Sequence, residues 1–283
     1  MGKITDILKM IKFSHTIFAL PFAGVSFVMN QSAVPSAGKV ILMILALVFA
    51  RSGAMAFNRL VDLRFDKENP RTKNRELVTG TINKKETIIF ITVNTLGFIG
   101  VSYFINSLCF VLSPVLLILL YSYSFWKRFS VLCHLYLGLV IGLAPVGVDL
   151  ALNESVSVSS LMLLLSVGLW VFGFDILYSL LDMDHDRKMG LHSIPARYGV
   201  STALVISKIA YVFMIGIMAF LGWIQDFGLI YYGGLLLLGG LLGLQHIWVR
   251  PNDLTRVNQA FFQLNSFVSV IYLVAVLAEI YIA

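Results

Sequence analysis

The chain has 283 residues, 58% of them hydrophobic and only 13% charged, about half the ~25% charged fraction of a soluble domain. With a mean hydropathy of +0.87, this composition excludes disorder, a disulfide scaffold and an ordinary soluble enzyme, and puts the chain in the polytopic membrane class. A net charge of +6 would raise nucleic acid as a partner in a soluble protein. Here the basic residues lie between apolar spans with no soluble, aromatic-interleaved basic surface, so that partner is excluded and the lipid bilayer takes its place.

Apolar runs broken by polar turns predict an all-α membrane protein, a single polytopic domain over residues 1–283 with nine transmembrane helices, roughly 14–30, 38–57, 86–105, 108–125, 131–151, 158–181, 201–223, 227–248 and 260–282. When the connections are numbered alternately, 18 of the 21 Lys and Arg residues fall on one side. That bias predicts a cytoplasmic amino terminus and, with nine spans, a carboxyl terminus outside. The first run follows Lys9 and Lys12 as a signal sequence would, but it lacks a small-x-small cleavage site and is read as helix one. Pro21, Pro114 and Pro145 lie inside predicted helices, where membrane proteins tolerate kinks. Cys109 and Cys133 fall near opposite faces of the membrane and are not expected to pair.

Two connections on the basic side are acidic as well. In the first, Asn58, Asp62 and Asp66 recur every four residues; in the second, Asp175, Tyr178, Asp182 and Asp186 follow at i, i+3, i+7 and i+11. On a helix each set forms one ridge, with Asp184 pointing away from the second. Aligned carboxylates at the end of an apolar span need a compensating cation. Hard oxygen ligands without His or Cys on the face suit Mg²⁺ bridging to a phosphorylated substrate. The bland alternative for a single ridge is a solvated helix end. Two with matching spacing on one side point to a metal site, and also suggest an internal repeat of helices one to four against five to eight.

Basic segments follow both ridges: Asn69-Pro-Arg71-Thr-Lys73-Asn-Arg75 after the first, and Arg187-Lys188 with Ile194-Pro-Ala-Arg197 after the second. Alone they are topology determinants. Beside carboxylates they complete what a metal diphosphate requires, the metal neutralising some oxygens and the guanidinium forks taking others.

These residues resemble the UbiA superfamily of intramembrane prenyltransferases over nearly the whole chain. Asn58-x-x-x-Asp62-x-x-x-Asp66 matches that family's first motif, Asp175-x-x-Tyr178-x-x-x-Asp182-x-x-x-Asp186 its second, and Tyr123-x-x-x-Lys127-Arg128 a further one. The resemblance implies nine helices around a central cavity and transfer of a polyprenyl chain from its diphosphate to an acceptor, often an aromatic ring. Phe18-Ala-Leu-Pro-Phe22, Leu143-Ala-Pro-Val-Gly147 and Leu191-His-Ser-Ile-Pro-Ala-Arg197 look most like the 4-hydroxybenzoate branch. Some relatives of similar appearance use a dihydroxynaphthoate instead, and the residues do not choose between these two aromatic acids.

On that reading Asp62, Asp66, Asp182 and Asp186 bridge the metal, while Asn58 and Asp175 bind inner oxygens or orient those ligands. Arg71, Lys73, Arg75, Lys127 and Arg197 contact the diphosphate, and Tyr123 and Tyr178 face the carbocation or pack at the interface. Arg51, seven residues before Asn58 in an apolar helix, demands a partner: the acceptor's carboxylate, or else an Asp or a backbone carbonyl. His15 and His134 line the cavity or, as is commoner, satisfy local hydrogen bonds; His185 and His192 receive no role. A cation-coupled transporter is the alternative from another class, since it too carries intramembrane carboxylates. Against it, the carboxylates cluster at one face and the outer loops are short and nearly uncharged.

Overall fold

The structure, a computed structural model, describes residues 2–12, 16–31 and 34–283. His15 lies outside them. The helices are α1 (Lys3–Met10), α2 (Thr16–Asn30), α3 (Ala37–Val61), α4 (Leu63–Glu68), α5 (Glu76–Thr79), α6 (Lys84–Ile105), α7 (Ser107–Trp126), α8 (Cys133–Asn153), α9 (Val158–Ser179), α10 (Met183–Met189), α11 (Ile194–Ile224), α12 (Leu229–Trp248), α13 (Val257–Gln259) and α14 (Asn265–Ile282). A 3-10 turn, Leu180–Asp182, joins α9 to α10, and a π turn, Ala260–Leu264, joins α13 to α14.

Eight helical stretches among the described residues are long and apolar enough to cross a bilayer, matching the predicted spans two to nine. The protein is an all-α integral membrane protein. The predicted first span corresponds to the apolar α2, described over 15 residues. Outward faces are apolar where a soluble protein would be charged: Val205, Ile209, Val212, Phe213 and Phe220 on α11 are exposed, while Leu204, Tyr211, Met214 and Met218 face inward. Pro21, Pro114 and Pro145 all lie inside helices, and both cysteines are free thiols.

The chain forms two compact units, Met1–Thr16 with Ala33–Phe125, and Ile17–Ser32 with Trp126–Ala283. In the first, Ala50, Phe98 and Leu117 form a small core with Phe49 and Tyr121. The Tyr121 ring stacks on Phe57 at 4.7 Å. Its hydroxyl hangs over Gly53, where a Cβ would come within 2.9 Å of it. The amphipathic α1 lays Ile7, Met10 and Ile11 against Met55, Ala56, Ile82 and Phe90.

The second unit has the larger core, built on Trp170, Tyr211, Met214, Met218, Tyr231, Leu238 and Tyr272. Here α2 packs through Phe22 on Trp170, with ring centroids 5.0 Å apart, and Ser26 donates to the Pro145 carbonyl at 2.7 Å. Span one therefore packs with spans five to nine, not with spans two to four as the repeat reading grouped it. Helices α8 and α9 approach closely because Gly138, Gly142 and Gly168 carry no side chain: a Cβ at Gly138 would run into the Gly168 carbonyl oxygen, and one at Gly142 into that of Leu164. This is the small-xxx-small contact of membrane helices. A buried polar chain runs from Tyr211 to Gln245 at 2.8 Å, on to Asn265 at 2.8 Å, and is joined by Trp170 Nε1 at 3.1 Å. At α12 the Gly228 amide and the Tyr231 amide, the latter at 2.9 Å, donate to the Glu279 carboxylate of α14.

Candidate active site

Neither acidic motif lies on an unbroken helix, which corrects the single-ridge expectation. Helix α3 ends at Asp62, with φ −90° and ψ 6°, before α4 begins. Helix α9 ends at Ser179, and Asp182, after the 3-10 turn, has φ −107° and ψ 2° before α10 begins. The middle carboxylate of each motif thus occupies the same sparsely populated bridge region, which recurs at active-site residues. The four-residue spacing is kept, but the last aspartate of each set rides on a short separate helix.

In the first unit, Asn58 Nδ2 donates to Asp62 Oδ2 at 2.8 Å and to Ser124 at 3.4 Å, while Arg59 Nη1 donates to Asn58 Oδ1 at 3.4 Å. Asn58 thus tethers one oxygen of the Asp62 carboxylate. Asp66 is buried, and Arg75 Nη1 lies 2.7 Å from each of its oxygens. The turn from Asn69 brings Arg75 there. Asn69 Oδ1 accepts from the Arg71 amide at 2.9 Å, and Thr72 Oγ1 donates to the Asp66 carbonyl at 3.1 Å. Arg71 and Lys73 are exposed, and Tyr123 is half-buried on α7. Arg51 donates to the carbonyls of Ile11 at 3.4 Å and Lys12 at 3.0 Å, the backbone-carbonyl alternative raised for it. Arg59 Nε does the same for Met10 at 3.2 Å.

In the second unit, Asp175 Oδ2 lies 2.6 Å from His134 Nδ1. Tyr178 stacks face to face on Phe261 at 4.1 Å and meets Phe262 edge-on at 6.0 Å. Phe174 in turn packs edge-on against Phe261 at 5.4 Å. Asp182 is buried and Asp186 wholly so, whereas Asp184 is exposed, as its phase predicted. Lys127 Nζ lies 2.8 Å from Asp186 Oδ1. Neither Asp186 oxygen meets a well-directed hydrogen-bond donor, so the contact is an ion pair. Burial alone would lower the Lys127 pKa, but Asp186 chiefly, with Asp182, outweighs it and raises the group above its ordinary 10.5. Lys127 is therefore charged at physiological pH. Arg197 is exposed on the first turn of α11, 5.9 Å over the Tyr198 ring. With Arg187, Gly190, Leu191, His192 and Ala196 it lines a cleft of about 280 Å³.

Arg75 and Lys127, expected to contact the diphosphate, each pair with the last aspartate of a motif. Arg71, Lys73 and Arg197 stand at the surface instead. Phe261 was missed, and His134, noted for a local hydrogen bond, was not matched to its partner: it meets its aspartate across 41 positions, and Phe261 reaches Tyr178 from a π turn. No spacing within one helix signals either contact.

Among the described residues no three His, Cys, Asp or Glu side chains converge into a preformed metal cage. The donor set nonetheless fits a hard divalent cation. All four candidates are carboxylates, and the buried Asp186 oxygens lack directed donors that a cation would replace.

The chain matches the model of the UbiA prenyltransferase family over residues 19–267. It is 30% identical over 215 residues to the 4-hydroxybenzoate octaprenyltransferase of Yersinia pseudotuberculosis, covering 75% of this chain and 71% of that one. It is 31% identical to the enzyme of the same name from Citrobacter koseri, covering 63% and 61%. Among solved structures, a UbiA homolog from Aeropyrum pernix K1 superposes with a TM-score of 0.84 at 31% identity, covering 94% of this chain and 98% of that one. A UbiA homolog from Archaeoglobus fulgidus, bound to GPP and Mg²⁺, shares the fold at 18% identity with a TM-score of 0.71, covering 98% and 100%.

Proposed function

Because the chain belongs to the UbiA prenyltransferase family and is a membrane prenyltransferase, we propose that it transfers a polyprenyl group from polyprenyl diphosphate to 4-hydroxybenzoate in quinone biosynthesis. The observation that carries this reading is the repeated pairing of a buried terminal carboxylate with a nearby cation, Asp66 with Arg75 and Asp186 with Lys127. The names of the curated relatives support the acceptor.

Asp62, Asp66, Asp182 and Asp186 are the residues that would hold Mg²⁺, which when bound would neutralise the diphosphate leaving group. Arg75 and Lys127, already aimed at carboxylates, contribute positive charge to the same leaving group, and Arg71, Lys73 and Arg197 meet it from the surface. Asn58 keeps Asp62 oriented. The allylic C–O bond breaks with its electron pair leaving on the diphosphate. The ring carbon ortho to the acceptor's hydroxyl takes the cation, and the ring then loses a proton. Tyr178, backed by Phe261, and Tyr123 offer ring faces to the developing cation. Arg51 gives two of its five N–H donors to carbonyls, and its remaining fork takes the acceptor's carboxylate. The basic-residue asymmetry supports a cytoplasmic amino terminus and active site with the carboxyl terminus outside, and the bacterial relatives support an inner-membrane location.

The test is prenylation in membranes containing the protein, with polyprenyl diphosphate, Mg²⁺ or EDTA, and 4-hydroxybenzoate or dihydroxynaphthoate offered separately. Metal-dependent product from 4-hydroxybenzoate is expected. Product only from the naphthoate would reassign the acceptor, and failure to bind the donor would favour a transporter.

A further inference from the structure

We propose that His134 is a positioning residue for prenyl transfer, fixing the Asp175 carboxylate through one defined tautomer. The inference rests on the reading that Asp175 serves the reaction. His134 is buried in the first turn of α8. Its Nε2 accepts the Ile194 amide at 3.3 Å. A backbone N–H can only donate, so Nε2 carries no proton there, and the neutral ring keeps its proton on Nδ1. That proton is given to Asp175 Oδ2 at 2.6 Å. Asp175 itself is partly open, its side chain 25% exposed. One oxygen is therefore tied while the carboxylate keeps an accessible edge.

The donor to Nε2 is itself held. Ile194 opens α11, and its amide is one of the orphan donors of a helix N-terminus. The residues before it are pinned by the turn that carries His134: the His192 amide donates to the Lys127 carbonyl at 2.7 Å, and the Cys133 thiol to the His192 carbonyl at 3.3 Å. One imidazole thus reads the position of α11 through Nε2 and passes it to α9 through Nδ1. Rotating Asp175 requires breaking one of these contacts. This is the arrangement by which outer partners orient reacting groups, and losing such a partner typically lowers activity about 10–100-fold.

The two ring nitrogens separate into two variants. The amide of His134→Asn reaches the place of Nδ1 and can donate to Asp175; that of His134→Gln reaches the place of Nε2 and can accept from Ile194 only. Expected is a fall in kcat of about 10²-fold for His134→Gln with an unchanged KM for the diphosphate, and recovery of most of that loss in His134→Asn. In an Asp175→Ala background His134→Gln should cost nothing further, because its effect runs through the missing carboxylate. Equal losses in both variants, or full additivity with Asp175→Ala, would make His134 merely structural. A readout independent of activity is the ¹⁵N spectrum of the labelled protein, with His134 identified by its absence in His134→Asn. An Nδ1-protonated neutral ring is expected, and an Nε2-protonated or cationic ring overturns the inference. An inactive wild type with the expected tautomer would instead point to failure of the prenyl-transfer reading.

Discussion

Arg75 closes on Asp66 through a single nitrogen, Nη1 lying 2.7 Å from both carboxylate oxygens. The carboxylate is largely buried, so the guanidinium supplies its charge balance. Removing it in Arg75→Ala leaves Asp66 buried and unpaired, which costs about 3–5 kcal/mol. The expected outcome is a lowered thermal midpoint in detergent, partly restored by millimolar Mg²⁺ and not by Na⁺. An unchanged midpoint in all three conditions would show that the pair contributes nothing.

Asp62 and Asp182 share a bridge-region backbone at the break of their helices. Asp62→Ala and Asp182→Ala are expected to lower prenyl transfer at least 10²-fold while leaving membrane insertion and the elution profile in detergent as in the wild type. Full activity in either variant would remove it from the magnesium set.

Arg51 holds the Ile11 and Lys12 carbonyls beside Arg59, which holds that of Met10. Arg51→Ala separates two roles by steady-state kinetics. If the guanidinium takes the acceptor's carboxylate, the KM for 4-hydroxybenzoate rises by an order of magnitude or more and that for the diphosphate stays put. An equal rise in both, with a lower melting temperature, would confine Arg51 to anchoring α1.

Gly138 has the Gly168 carbonyl where a Cβ would go, whereas a Cβ at Gly147, one helix face away on α8, meets nothing within 4 Å. Gly138→Ala should separate α8 from α9, pull His134 from Asp175 and reduce the yield of folded protein. Gly147→Ala should be neutral. Comparable yields of both proteins would disprove the tight contact.

Helix positions were readable because a bilayer crossing demands about 20 apolar residues and little else produces such runs. The carboxylate motifs were readable because charge at the end of such a run is costly and stands out. The break at each motif was not, since i, i+4 spacing is compatible with an intact helix and nothing at Asp62 or Asp182 is Gly or Pro. The segment before the first apolar run registered only through its basic residues, although Ile7, Met10 and Ile11 make it the amphipathic α1. Asp149 escaped notice altogether. Its partners, the Ser157 amide at 2.7 Å, Ser160 Oγ at 2.8 Å and Asn153 Nδ2 at 2.8 Å, are neutral donors, and two of them lie on the far side of a turn. Contacts made by single polar atoms across the fold leave no periodic trace.

Glu279 has a bearing on how the protein is made. The amino end of α12 has Gly228 at its cap position and no side-chain cap of its own; both amides that Glu279 serves belong to that end. A ribosome releases Glu279 about 50 residues after Gly228, so α12 is synthesised with its first turn uncapped and completed only as the last helix docks. Translation that stops before Glu279 therefore yields a chain in which α12 is fully synthesised but lacks the carboxylate that closes its first turn.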